Sequence, residues 1–191
     1  MRNWRKVFLA GCVCLFLVGV LGGCAQGPQT TRPEQAAADK QQTTETGGKK
    51  VQLEKEVVLY RLPKDGTQYF VVEKAKIKTT KGQEALDTLK ALVGTQPGKN
   101  VKGLNAFPKN VKVLGLSVKD GVAKADFSKE LYKKSQGEYE ITMLFYSVAN
   151  TLTEYPEIKK VEFLREGKTV EVLGQMDLSE PLLRNKTFIK K

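Results

Sequence analysis

The strongest constraint on what this chain can fold into is the alternation of two helical patterns with paired strand patterns. Ile141, Leu144, Phe145, Val148, Leu152 and Tyr155 recur at the spacing of one helix face, and Pro156 stops the run. Ser135 and Glu138 give this segment the S-x-x-E pattern of a capping box. A shorter pattern starts at Thr80, with Gln83 as its capping partner, and places Leu86, Leu89, Leu92 and Val93 on one face before Gly94. A helix with a single apolar stripe needs a second surface to cover it.

Strand pairs supply that surface. Val57-Val58-Leu59-Tyr60 and Tyr69-Phe70-Val71-Val72 flank the turn signal Pro63-Lys64-Asp65-Gly66. After a connection from Thr95 to Asn110, Val111 to Val118 and Val122 to Phe127 are joined by Lys119-Asp120-Gly121, a hairpin signal. Val161 to Arg165 and Lys168 to Leu173 form a third pair around Glu166-Gly167. The order is ββαββαββ, which predicts an α+β fold over residues 51–191. It is a single domain of about six strands in a mostly antiparallel sheet, with both amphipathic helices packed on it.

The residues ahead of this body read as an export signal. Arg2, Arg5 and Lys6 precede an apolar run from Val7 to Leu21, interrupted by Gly11 and Gly19. The run is shorter than the roughly twenty residues that span a bilayer as a helix. It ends in Leu21-Gly22-Gly23-Cys24, the pattern cut by the lipoprotein signal peptidase family. Residues 1–23 are thus a predicted lipoprotein signal peptide, cut between Gly23 and Cys24, with Cys24 the lipidated N-terminus. A thiolate is soft and nucleophilic enough to take a diacylglycerol as a thioether. Two or three acyl chains, at about 0.8 kcal/mol per buried methylene, make such attachment effectively permanent. The expected location is the extracytoplasmic face of the cell membrane.

From Ala25 to Lys50 the sequence has no large apolar residue, so it cannot bury enough surface to offset the entropy of ordering. Residues 24–50 are therefore the lipidated N-terminus and a disordered tether, with a mean span on the order of 30 Å by flexible-chain scaling. All three cysteines, Cys12, Cys14 and Cys24, precede the body, which has neither a free thiol nor a disulfide.

Charge narrows the partners. The chain carries +11, and without Arg2, Arg5 and Lys6 it keeps 29 basic against 21 acidic residues, or +8. Lysine dominates, with Arg61, Arg165 and Arg184 the only arginines of the body. Nucleic-acid binders concentrate arginine beside aromatic residues, so nucleic acid is not an expected partner. An anionic membrane or wall polymer suits the charge better, and plainly solvated faces suit it as well.

The chemistry of reaction is missing. There is no histidine in the sequence and no cysteine in the body, which removes the commonest general base, the usual zinc ligands and the thiolate nucleophile together. The carboxylates Asp126, Glu130, Glu138, Glu140 and Glu154 leave a two-carboxylate site open by spacing alone, yet strand-end, capping and solvated roles account for them equally. Lys119-Asp120-Gly121 lacks the oxygen ladder of a calcium loop. Gly94-Thr95-Gln96-Pro97-Gly98-Lys99-Asn100 follows a helix, the reverse of the context a phosphate-binding loop requires. No catalytic, metal or cofactor residue is assigned.

Several segments together resemble the GerMN domain of sporulation and spore germination proteins. They are Asn150-Thr151-Leu152-Thr153-Glu154-Tyr155-Pro156, Val161-Glu162-Phe163-Leu164 and Glu166-Gly167-Lys168, preceded by Val58-Leu59-Tyr60, Phe107-Pro108 and Gly121-Val122-Ala123-Lys124-Ala125-Asp126-Phe127-Ser128. Ser179-Glu180-Pro181-Leu182 with Arg184 is similar to the family's tail. The resemblance implies a fold like the ring-building modules of envelope-spanning secretion complexes. It also implies no catalytic residues, membrane attachment by a lipid anchor, and protein partners in the envelope during sporulation, germination or envelope assembly. Binding to peptidoglycan or an anionic wall polymer, as an accessory to wall hydrolysis, is the alternative. Within Asn150-to-Pro156, the signature motif, Leu152 continues the apolar stripe. Asn150, Thr151 and Thr153 lie off it, and are expected to bond to the Glu157-to-Lys160 turn or to face a partner.

Overall fold

The computed structural model describes residues 51–133 and 137–190. The signal peptide 1–23, the cleavage pair Gly23 and Cys24, the tether 24–50 and the capping residue Ser135 lie outside the described residues. The elements run β1 (Leu53–Pro63), β2 (Val71–Thr79), α1 (Glu84–Gly94), β3 (Gly103–Leu104), β4 (Val113–Lys119), β5 (Val122–Phe127), α2 (Glu138–Leu152), β6 (Lys160–Arg165), β7 (Lys168–Thr169), β8 (Val172–Leu173), β9 (Met176–Asp177) and β10 (Leu182–Leu183). This is the expected α+β class, with two helices packed on sheets.

The strands divide between sheets rather than forming one. β2-β1-β3 is the first sheet, β10-β6-β5-β4 with β7 beside β6 is the second, and β8-β9 is a separate ribbon. Two physical reasons separate them. β1 is buried on both faces: Val57 and Leu59 enter the main core, while Tyr60 and Leu62 pack with Phe70 and Met143 in a second cluster. Such a strand reads as the continuous run Val-Val-Leu-Tyr rather than as an alternation. Secondly, β5 and β6 are parallel, from Val122 opposite Lys160 to Phe127 opposite Arg165. Parallel neighbours need a long crossover, and α2 supplies it.

Turn chemistry fixes the register of two hairpins. Asp120 and Gly121 have φ of 51° and 79°, and Glu166 and Gly167 have 51° and 81°. Positive φ at both central positions is the type I′ turn that matches the twist of the flanking strands. The β4–β5 ladder then runs back from Lys119 opposite Val122 to a bulge between Val113 and Gly115.

The helix ends differ from the capping-box expectation. α2 starts at Glu138 after Gly137 in the capping position, so Glu138 is the first helical residue rather than the third, and no side chain caps it. Glu138 and Glu140 instead place negative charge in the first turn, where the helix dipole favours it. α1 starts three residues later than the Thr80 pattern suggests, with Gln83 making no side-chain cap. Its main chain bonds to Thr80 O at 2.9 Å, and Thr79 Oγ1 donates to Asp87 Oδ2 at 2.9 Å. Gly94 is the last helical residue and keeps an ordinary φ. The stop comes at Thr95, extended, whose N and Oγ1 both donate to Ala91 O.

α2 is buried more widely than one stripe. Ile141, Leu144, Phe145, Val148 and Leu152 fill the main core, Met143 enters the second cluster, and Ser147, Asn150 and Thr151 are also buried. Phe145 meets Phe163 of β6 edge-on at 4.7 Å, and Phe163 stacks on Phe127 of β5 at 6.3 Å.

Candidate functional site

Of the carboxylates left open by spacing, Asp126, Glu130 and Glu154 are engaged separately, while Glu138 and Glu140 lie in the first turn of α2. Asp126 Oδ1 accepts from Gly167 N at 3.0 Å, Glu130 pairs with Lys133 at 3.6 Å, and Glu154 belongs to the clasp described below. A hydrogen bond from Ser128 holds the Glu130 carboxyl below its ordinary range. Among the described residues no group of three or more His, Cys, Asp or Glu is placed to hold a metal ion.

What the fold does build is a polar clasp on the signature motif. Asn150, fully buried near the end of α2, donates from Nδ2 to Asn185 O at 2.9 Å and accepts at Oδ1 from Asn185 N at 2.8 Å. The side chain thus copies a strand partner and fixes the tail. Arg184 donates to Asn150 O at 3.0 Å, to Thr153 Oγ1 at 3.3 Å, to Glu154 Oε1 at 2.5 Å and to the Tyr60 hydroxyl. The Tyr60 hydroxyl donates to the same Glu154 oxygen at 2.7 Å, and Tyr60 N donates to Thr151 Oγ1 at 3.0 Å. Tyr155 completes the motif through its hydroxyl, 2.6 Å from Thr88 Oγ1 of α1.

Asn150 and Thr151 therefore bond neither to the Glu157-to-Lys160 turn nor across an open face. They join α2 to the tail and to β1, segments far apart in sequence. Alanine at Asn150 removes both tail bonds and strands Asn185 N and O. The expected cost is about 1–3 kcal/mol, measured as a lower urea midpoint with unchanged m-value.

Burial, reinforced by the hydrogen bond to Glu154, pushes the Tyr60 phenol from its ordinary 10 up to about 12. Burial likewise raises Tyr132 and Tyr155. The folded protein then holds these protons more tightly than the unfolded chain. For Tyr60 that contribution is fully present below pH 10 and is lost as pH rises from about 10 to 12. Tyr60→Phe is expected to flatten part of that alkaline decline in a pH series of thermal melts, while leaving the neutral-pH slope unchanged.

A second polar network centres on Arg61. Arg61, 2% exposed inside β1, donates through Nε to Glu73 Oε2 at 2.8 Å, through Nη1 to Leu92 O at 2.6 Å and through Nη2 to Thr95 Oγ1 at 2.8 Å. The other Glu73 oxygen accepts from Gly98 N at 2.9 Å. One side chain therefore ties together β1, β2, the end of α1 and the loop that follows. Gly103 of β3 passes so close that an added Cβ would lie 2.5 Å from Arg61 Cβ, which explains glycine there. The sequence signal is an arginine directly after the apolar run Val57-Val58-Leu59-Tyr60.

The family profile named Germane, for sporulation and spore germination, matches residues 58–171, more than half of the chain. The chain belongs to the Germane family. The match begins in β1 and runs through the signature motif to just beyond β7, so the clasp's Tyr60, Asn150, Thr151 and Glu154 lie inside the Germane domain while Arg184 and Asn185 follow it. Solved structures agree on the fold. The tandem GerMN domains of the sporulation protein GerM from Bacillus subtilis align at 23% identity and a TM-score of 0.54, over 70% of this chain and 46% of that one. The chain thus spans about half of the tandem structure. The first GerMN domain of GerM alone aligns at 23% identity and 0.53, over 69% and 96% of the two chains. An inferred lipoprotein from Clostridium perfringens aligns at 21% identity and 0.50, over 71% and 89%. No curated protein matches the chain.

Among the described residues, the surface of this Germane domain has open grooves. One of about 500 Å³ runs beside the clasp between Tyr146, Glu180 and Leu183. On the first sheet, Lys74, Lys76 and Lys78 alternate along the edge strand β2 and are exposed, facing Val58, Glu56 and Glu54 of β1. Lysines along an edge discourage strand addition there.

Proposed function

We propose that this chain is a non-catalytic envelope lipoprotein, anchored through Cys24 on the outer face of the cell membrane. Its Germane domain binds or scaffolds other extracytoplasmic proteins in sporulation, germination or envelope assembly. The observation that carries this reading is the family match over residues 58–171, behind Leu21-Gly22-Gly23-Cys24 and a tether. GerM is a sporulation protein, and the Clostridium perfringens relative is an inferred lipoprotein, which supports the same reading here. The division into a signal peptide, a tether and a domain from residue 51 belongs to the same proposal. The clasp consumes the motif's polar groups in holding the tail, so binding falls to the surface around it.

Cys24→Ala is expected to move the protein from the membrane fraction to the soluble fraction and to abolish incorporation of labelled palmitate. Retention of both would refute the anchor. Crosslinking in intact cells followed by capture should recover envelope proteins above an untagged control, and their absence would count against scaffolding.

The lysine-rich surface and the +8 charge beyond Gly23 support a second reading, binding to an anionic wall polymer. Co-sedimentation with purified wall at low salt, where screening is weakest, tests it. No binding under those conditions removes it.

A further inference from the structure

We propose that the end of the domain where the tether enters docks on the membrane, with Val51 and Leu53 seated among anionic lipid headgroups. This docking rests on the anchor at Cys24. Val51 and Leu53 are 74% and 45% exposed. Together with Thr80, Lys81 and Gln83, between β2 and α1, they line an open groove of about 440 Å³. β1 begins at Leu53, opposite Thr79 of β2, so the groove lies at one end of the first sheet. The loop joining β1 to β2 lies at the other end of β1, on the order of 30 Å away at about 3.3 Å per residue. The tether supplies no side chain to fill the groove, because Ala25 to Lys50 holds no large apolar residue.

Charge and connectivity select the bilayer as the occupant. Lys49 and Lys50 immediately precede Val51 in the sequence, Lys81 lines the groove, and Lys55, two residues beyond Leu53, is also exposed. The acidic groups nearby do not cancel them. Glu54 faces Lys78 across the ladder, Asp87 pairs with Lys90, and Glu84 alone stands unpaired in the first turn of α1. Lysine stems lie along apolar surface while their ammonium groups reach for phosphate. Exposed apolar side chains flanked by lysines are what an anionic bilayer surface takes up. Two such side chains and four lysines bind a bilayer only weakly, and the anchor supplies the second signal that stable attachment requires. With Cys24 held in the bilayer the encounter is intramolecular, at an effective concentration set by the length of the tether. Docking then turns the β1–β2 loop away from the lipid and gives the Germane domain one orientation toward its partners.

The test uses the protein isolated from its own cell membranes in detergent, carrying either Gln52→Cys or Gln68→Cys, the latter in the β1–β2 loop. Each is labelled with a thiol-reactive NBD fluorophore and reconstituted into phosphatidylcholine vesicles with and without phosphatidylglycerol. Both side chains are exposed, so the variants should fold, as circular dichroism will confirm. The expected result at position 52 is a blue-shifted, several-fold brighter emission in the phosphatidylglycerol vesicles, quenched by nitroxide-bearing lipid. Position 68 should emit as in water. Val51→Ser with Leu53→Ser, both at exposed positions, should abolish the signal at position 52. Matching spectra at 52 and 68, or a signal unchanged by those serines or by omitting phosphatidylglycerol, overturns the proposal. So does a blue shift that nitroxide lipid fails to quench, which means that a second copy covers the groove. The parent chain separates docking from anchoring: with Cys24 a thioether and the signal peptide removed, it has no free thiol and takes no label. Labelling of the parent refutes the anchor and the docking with it, whereas an unlabelled parent with matching spectra refutes docking alone.

Discussion

Arg61→Ala should be among the most damaging single substitutions in the domain, costing about 3–5 kcal/mol because it leaves the Glu73 carboxylate buried without its partner. The geometry explains the size. Arg61 is 2% exposed and its guanidinium serves Glu73, Leu92 O and Thr95 Oγ1 at once, so the truncation also strands a helix-end carbonyl. Chemical denaturation measures the loss. The companion variant Arg61→Met with Glu73→Leu removes both charges and keeps the volume, and replacing a buried pair in this way is often close to neutral. It should recover most of the loss, but not all, since Leu92 O and Gly98 N still lack their partners. A double variant as unstable as the single one would show that the charges are not what the site depends on.

Phe163→Ala is the second large effect, about 3–5 kcal/mol for emptying a core aromatic site. Phe163 is 1% exposed on β6 and touches Phe145 of the crossover helix and Phe127 of the parallel neighbour β5. It is the point where the strand-helix-strand unit closes on itself. Loss of the ring should lower the thermal midpoint far more than the same truncation at Leu183, which is 64% exposed. Comparable shifts at the two positions would contradict the assignment of the core.

The parts of the fold legible in the sequence were those with local signals. Asp120-Gly121 announced its turn because both residues accept positive φ, while at Glu166-Gly167 the glycine alone carries that signal. The stripe from Ile141 to Leu152 announced α2. Much of β2 was hidden, because Lys74, Lys76 and Lys78 alternate with Ala75 and Ile77 in a pattern too polar to read as an apolar run. The parallel β5–β6 pairing was hidden for a different reason: nothing local says that a helix between two strands returns the chain to its immediate neighbour. The clasp was half visible. Asn150 and Thr151 stood off the stripe as polar residues near a helix end, but their partners Asn185 and Tyr60 are 35 and 91 residues or so away in the chain. Local reasoning therefore offered only the adjacent turn. Arg61 stood out by composition, and only the packing of β1 between two layers reveals that its charge is enclosed.

On the proposed reading the Germane domain is tied to the membrane through Cys24 alone, and the mass of the N-terminal peptide tests that link most directly. Protein isolated from its own cell membranes and digested is predicted to yield an N-terminal peptide that begins at Cys24 and carries the mass of a thioether-linked diacylglycerol. An unmodified Cys24, or a chain that still begins at Met1 or starts at another residue, would contradict it.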